Sequence, residues 1–186
     1  VILIRIGVTG SHGTGKTTLC KILADTLKIP YIEEQARISF EVLNMQDLDI
    51  ARLDNDKFSN FQQDVIRRQI NEEYKHGNNF ISDRTTLCNY AYYKVNTKDA
   101  PKIKNGYRSI ALNNFSCGYD LVIYIPIIFE LVLDGVRNKG EDYRLKVDAI
   151  IQNHLYLNPN VYCLQSDGVE NRVKELTEVI NKWKIK

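Results

Sequence analysis

One octapeptide constrains this chain more than any other feature. Gly10-Ser11-His12-Gly13-Thr14-Gly15-Lys16-Thr17 satisfies every fixed position of the pattern G-x-x-x-x-G-K-[ST]. An apolar run over residues 2–8 leads into it, and an amphipathic run over residues 17–27 leads out. That strand–loop–helix setting is what a phosphate-binding loop requires. The glycines let backbone wrap closely around phosphate oxygens, so that successive N–H groups converge as an anion nest. The following helix adds unsatisfied N–H groups and the positive end of its dipole. Lys16 is predicted to reach the β- and γ-phosphates of a nucleotide, and the Thr17 hydroxyl to ligate Mg²⁺. The candidate phosphate-binding set is therefore Gly10, Ser11, His12, Gly13, Thr14, Gly15, Lys16, Thr17 and Thr18. Within it, His12 holds a variable position predicted to face outward, and no chemistry is assigned to it.

Periodicity along the chain predicts alternating strands and helices. Strands are expected over 2–8, 31–33, 79–84, 120–125 and 161–164, and helices over 17–27, 36–43, 58–74, 86–95, 105–117 and 141–155. A final helix carries Val169, Val173, Leu176, Ile180 and Trp183 on one face. Residues 44–55 and 97–104 are polar and predict loops, and His76-Gly77-Asn78 predicts a helix stop. The first strand is almost continuously apolar, as expected of a parallel strand covered on both faces. The expected fold is an α/β three-layer sandwich of the P-loop NTPase type. It has a five-stranded parallel sheet, helices on both faces and a small lid near residues 134–146, all in one domain spanning 1–186.

Composition removes several alternatives. The net charge of +2 gives no bulk attraction for nucleic acid or a membrane surface. No apolar run approaches the ~20 residues of a membrane span. Cys20, Cys88, Cys117 and Cys163 form no C-x-x-C pair, which argues against a zinc site or disulfide scaffold and fits a reducing cytoplasm. The sequence leaves the oligomeric state open, a homodimer included.

Two carboxylates stand at predicted strand ends, the edge where open parallel sheets bind ligands. Asp83 closes an apolar strand, as does the Walker B carboxylate that holds Mg²⁺. Asp83 or Thr85 would also serve as the cap of the following helix. Glu34 follows the second strand and is a second candidate base or ligand of an acceptor hydroxyl. Arg84 is placed to hold a phosphate or hydroxyl. Arg137 and Arg144 lie in the Gly-punctuated segment expected to close over a transferring phosphate and exclude water. Their planar forks suit phosphate better than neighbouring lysines do. A GTPase is disfavoured: Asn138-Lys139-Gly140-Glu141 only approximates the guanine-reading N-K-x-D, and Thr86 stands where the Gly of D-x-x-G would be. A motor ATPase is disfavoured by the short chain and near-neutral charge.

Four elements together resemble the P-loop kinase and ATPase family that includes the ribosylnicotinamide kinase domain of NadR-type proteins. They are the phosphate loop over residues 10–18, Glu34-Gln35-Ala36-Arg37, Asp83-Arg84 with Asn89-Tyr90-Ala91-Tyr92, and Asp134-Gly135-Val136-Arg137 leading to Tyr143-Arg144. The resemblance implies ATP- and Mg²⁺-dependent phosphoryl transfer to a small nucleoside- or nucleotide-like acceptor, without fixing which. It also implies that the other domains of NadR-type proteins are absent from these 186 residues. Relatives often carry an acid where Cys88 stands. The competing reading is a slow regulatory ATPase acting through a protein or lipid partner. The aromatic run Tyr90, Tyr92 and Tyr93 is expected to pack a helix onto the sheet rather than stack on a base. Gln62, Gln63 and Arg67 either border the acceptor pocket or form a solvated face.

Overall fold

Apolar strands alternating with amphipathic helices produce a doubly wound sheet. The computed structural model describes residues 3–45, 54–97, 101–127 and 140–183. Its strands are β1 (Arg5–Thr9), β2 (Tyr31–Ile32), β3 (Phe80–Asp83), β4 (Leu121–Tyr124) and β5 (Val161–Cys163). They pair in the order β2-β3-β1-β4-β5, every pair parallel. The helices are α1 (Lys16–Leu27), α2 (Gln35–Val42), α3 (Asn55–His76), α4 (Thr86–Asn96), α5 (Pro101–Cys117), α6 (Glu141–Gln152) and α7 (Val169–Trp183). The chain leaves β1 towards β2 and β3 and later returns to β4 on its other side. The carboxyl end of β1 is thus a topological switch point, where such sheets open a crevice.

Side-chain parity divides the core. Ile6, Val8, Ile81, Leu121 and Ile123 pack with Leu19, Leu23, Leu176 and Ile180 of α1 and α7. Phe80, Val122 and Tyr124 point the other way, onto Leu87, Ala91, Phe115, Val147 and Ile151 of α4, α5 and α6. Each fully buried apolar side chain contributes about 1.5–3 kcal/mol, so both faces hold the sheet. Gly7 faces the second cluster, where a Cβ would lie 2.6 Å from Thr85 Cγ2 and 2.8 Å from a Tyr119 ring carbon. Only glycine lets α4 approach β1 this closely.

The expected five-stranded parallel sheet with helices on both faces is present, with shifted element boundaries. β1 starts at Arg5, whose backbone N–H and guanidinium are both held by Asp120. α3 starts at Asn55 instead of residue 58, because the Asp54 carboxylate accepts from Asp56 N and Lys57 N at 3.1 Å. α5 starts at Pro101, inside the stretch predicted as loop; a proline at the first helical position loses no intrahelical hydrogen bond. The 141–155 helix stops at Gln152 and yields to a 3₁₀ turn, Leu155–Leu157. On α7 the buried stripe begins at Val173, since Val169 is half exposed.

A buried polar network fixes β3 just before its functional end. Thr86 N–H donates to the Tyr119 hydroxyl, which donates to Glu73 Oε1. Gln69 Nε2 bonds the same oxygen and Ser82 Oγ, each at 2.7 Å. Burial pushes the Glu73 carboxyl up to about 7 against the opposing pull of these hydrogen bonds. The folded state therefore keeps this proton to higher pH than the unfolded chain. Between about pH 4.5 and 7 the native state binds more protons, so stability falls as pH rises through that window. Glu73→Gln removes the titration. We expect it to flatten the dependence and stabilise the protein at pH 8 relative to wild type by up to about 3 kcal/mol. Urea denaturation at pH 5 and 8 checks this; equal slopes with pH in both proteins would reject it.

Candidate functional site

β1 ends at Thr9 and the chain turns at once into the glycine-rich loop. Gly10 has φ 143°, and a Cβ there would lie 2.5 Å from the Ile125 carbonyl oxygen. Gly13 and Gly15 have φ 71° and 86°, the left-handed region where side chains are strained. α1 starts at Lys16, so its free N–H groups open onto the loop. Lys16 is buried, and its Nζ donates to the Ser11 carbonyl and, at 3.1 Å, to Thr14 Oγ1. Burial, reinforced by the nearby Arg84 charge, lowers its amine to about 8.

The second strand end and β3 complete a cleft of about 150 Å³, partly open to solvent. It is lined by Gly13, Gly15, Lys16, Thr17, Thr18, Glu34, Arg37 and Arg84. Thr17 Oγ1 donates to Asp83 Oδ2 at 2.6 Å, and the Tyr31 hydroxyl donates to the same oxygen at 3.3 Å. Asp83 Oδ1 is buried and has no hydrogen-bond partner among the described residues. Asp83 therefore does not cap α4; Thr85 occupies the cap position, without a side-chain cap bond. A hydroxyl beside a buried carboxylate with one oxygen unfilled is a hard-oxygen donor set that fits Mg²⁺.

Glu34 is gripped from two sides. Arg84 Nε donates to Oε1 at 2.6 Å and Arg37 Nε to Oε2 at 3.1 Å. Arg84 is buried, its guanidinium lies 4.9 Å from the centre of the Tyr92 ring, and its Nη1 has no hydrogen-bond partner among the described residues. Burial opposes the Arg84 charge most strongly, but Glu34 together with Tyr92, Cys88 and Asp83 outweighs it and raises the guanidinium pKa further. Arg84 also has φ 96°, a strained conformation for a side-chain-bearing residue, costing about 1–3 kcal/mol. The Glu34 bridge and the bond from Arg84 N to the Val8 carbonyl, 3.1 Å, hold it there. Cys88 Sγ lies 3.1 Å from Thr9 Oγ1. Burial pushes its thiol up, but Arg84 and Lys16 outweigh this, and the net shift is down. The position still favours negative charge, although it carries no carboxylate.

Other predicted residues are distributed differently. His12 does not face outward: it is 4% exposed, with Nδ1 3.2 Å from the Tyr92 hydroxyl and its ring beside Tyr143. A turn that aims backbone N–H groups at one point sends this side chain inward, against α4. Tyr90 and Tyr93 are core residues, Tyr93 stacking on Tyr107 at 4.2 Å, whereas Tyr92 belongs to the site. Gln62 is buried with the Tyr107 hydroxyl 3.4 Å from its Oε1, while Gln63 and Arg67 are exposed. Arg137 and the rest of the proposed lid up to residue 139 lie outside the described residues. Arg144 is fully buried, with Nε donating to the His12 carbonyl at 3.0 Å and Nη2 to that of Gly13 at 3.4 Å. Its guanidinium grips the outside of the phosphate loop instead of standing over the cleft. Arg37, which sequence reading noted but did not place in the site, lines the cleft; its spacing three residues after Glu34 on a helix start was the available signal.

The sheet, its switch point and the loop together define a P-loop nucleotide-binding fold. Residues 5–172 match the AAA domain family, AAA_28, and the chain belongs to that family. No curated protein matches the sequence. Among solved structures, the chain is similar to NadR protein in complex with NR, at 24% identity and TM-score 0.70. That match covers 98% of this chain and 52% of NadR, so the chain spans about half the length of that relative. Deoxyadenosine kinase from M. mycoides, with products dCMP and dCDP, matches at 18% identity and TM-score 0.69, covering 96% of this chain and 99% of the kinase. Shikimate kinase from Acinetobacter baumannii, in complex with shikimate, matches at 13% identity and TM-score 0.61, covering 99% of this chain and 96% of its own. These likenesses are of fold. Among the described residues, no helix is long and apolar enough to cross a membrane.

Proposed function

We propose that this protein is an ATP- and Mg²⁺-dependent kinase that phosphorylates a hydroxyl of a small nucleoside- or nucleotide-like acceptor. One observation carries the reading: two carboxylates stand at neighbouring strand ends with different partners, Glu34 lining the cleft and Asp83 meeting it through Thr17. Asp83 is bonded to the loop hydroxyl of Thr17, and Glu34 to Arg84 at the end of β3 and to Arg37 on α2. A site built for nucleotide binding alone needs the first; a site that also deprotonates an acceptor needs the second. The similar folds of NadR bound to NR and of deoxyadenosine kinase support this acceptor class.

In this mechanism the loop N–H groups and Lys16 hold the β- and γ-phosphates of ATP. Thr17 and Asp83 would hold Mg²⁺, which would supply positive charge to offset that of the phosphates. Arg84, through its unfilled Nη1, orients the acceptor oxygen or the transferring group. Glu34 accepts the acceptor's hydroxyl proton as the new P–O bond forms. The bond from the γ-phosphorus to the β-phosphate oxygen breaks, and ADP leaves with its electron pair. Water exclusion by Arg137 and its neighbours remains part of the proposal.

The test is ADP release from ATP and Mg²⁺ with ribonucleosides, deoxynucleosides, their monophosphates and ribosylnicotinamide. Strong stimulation by one acceptor is expected. ATP binding with no stimulation by any would favour the regulatory ATPase instead. In the same assay Asp83→Asn should shift the Mg²⁺ titration to higher concentration. An unchanged titration would reject Asp83 as the metal carboxylate.

A further inference from the structure

An anion nest works only if its peptides are held in one orientation. The peptide unit is planar and trans, so its C=O and N–H point in opposite directions. Aiming N–H groups at a phosphate therefore drives the preceding carbonyls outward, into the protein. Buried carbonyls left without donors would be costly, and the loop would relax to satisfy them.

Two arginines from the far end of the chain meet this need. Arg144, on α6, donates to the His12 and Gly13 carbonyls. Arg172, on α7 and 4% exposed, donates from Nη1 to the Thr14 carbonyl at 3.0 Å, across 158 residues of sequence. Its Nε bonds the Ser166 carbonyl at 3.2 Å, and its own N–H bonds Gly168 O at 3.1 Å, so the guanidinium is fixed from behind. Three successive carbonyls are thereby turned outward, and the N–H groups of Gly13, Thr14 and Gly15 are turned towards the cleft. These bonds come from cationic donors, about twice as strong as neutral ones.

We propose that Arg172 is a positioning residue of the phosphate site, acting through the Thr14–Gly15 peptide and paired with Arg144 on the two peptides before it. The assignment rests on the reading of this loop as the nucleotide phosphate site. It makes the first turn of α7, none of whose residues lines the cleft, part of the machinery that sets nucleotide affinity.

Titration calorimetry with Mg²⁺ and ADP tests it without any transfer reaction. Arg172→Ala should weaken ADP about 10- to 100-fold, the scale of one charge-assisted hydrogen bond. Arg172→Lys keeps the buried cation but not the fork, and should fall between the two; it also serves if the alanine variant does not fold. Leu176→Ala, one turn further along α7 and fully buried, is the control for stability alone. It should lower the melting temperature while leaving ADP affinity within about twofold of wild type, since surface-remote core losses act mainly on folding. Unchanged ADP affinity in both Arg172 variants, or an equal loss in Leu176→Ala, would overturn the positioning role. A wild type that binds ADP but phosphorylates no acceptor would sink the kinase reading alone. A wild type that transfers phosphate while both Arg172 variants keep full ADP affinity would sink this inference alone.

Discussion

Lys16→Ala should lower turnover ~10²–10³-fold, the scale for losing one preorganised donor aimed at developing charge. The ammonium now donates to the Ser11 carbonyl and Thr14 Oγ1, folded back on its own loop. Those bonds satisfy a buried cation until phosphate oxygens replace them, so the residue is held close to where charge will grow. Alanine removes the charge without disturbing the Gly13 and Gly15 turns. Circular dichroism should show an intact fold beside the lost activity. Near-wild-type turnover in that folded variant would remove Lys16 from the mechanism. The amine's lowered pKa of about 8 adds a pH signature. Bound phosphate favours the charged amine, so above about pH 8 binding must take up a proton, and ATP affinity of wild type should fall as pH rises. Lys16→Ala should lack that component.

The sequence-readable part of this site is the part built from local chain. The loop pattern, the strand before it and the helix after it lie within one short stretch, and the expected geometry is present. Asp83 and Glu34 could be located because a strand end is a recognisable place in a parallel sheet. What could not be read was any contact that depends on distant chain closing over the loop. Arg144 looked like a lid residue because it follows a glycine-punctuated basic stretch. Its bonding to the His12 carbonyl spans 132 residues, and no local pattern encodes it. Arg172 reads as one polar residue on an amphipathic helix, and nothing in that periodicity distinguishes a buried guanidinium from a solvated one. His12 was misplaced for a related reason: a variable loop position says nothing about the Tyr92 and Tyr143 side chains that enclose it. The left-handed conformation of Arg84 was equally hidden, since sequence rules reserve that region for glycine and asparagine.

Glu34→Gln should abolish acceptor stimulation more completely than it weakens ATP. Loss of a general base costs ~10²–10⁴-fold. Arg84 and Arg37, which donate to Glu34, lie outside the phosphate loop, so ADP affinity should change little. The complication is stability. Glu34 and Arg84 have only 8% and 7% of their side chains exposed, and breaking a buried pair by neutralising one partner costs about 3–5 kcal/mol. The variant's melting temperature must therefore be measured alongside its kinetics. Glu34→Asp supplies the needed comparison, because it keeps the charge opposite Arg84 but draws the carboxylate back by one methylene. If Glu34 is the base, the aspartate variant stays folded and is still slow, since proton transfer needs the oxygen within hydrogen-bond reach. If Glu34 only holds Arg84 in its strained conformation, the aspartate variant recovers most of both stability and turnover. Asp83→Asn separates the two carboxylates further. It should alter the Mg²⁺ requirement, whereas Glu34→Gln should leave that titration alone and remove the response to acceptor. Full acceptor-dependent turnover in a folded Glu34→Gln protein would move the base to Asp83 and leave Glu34 as the counter-ion of two arginines.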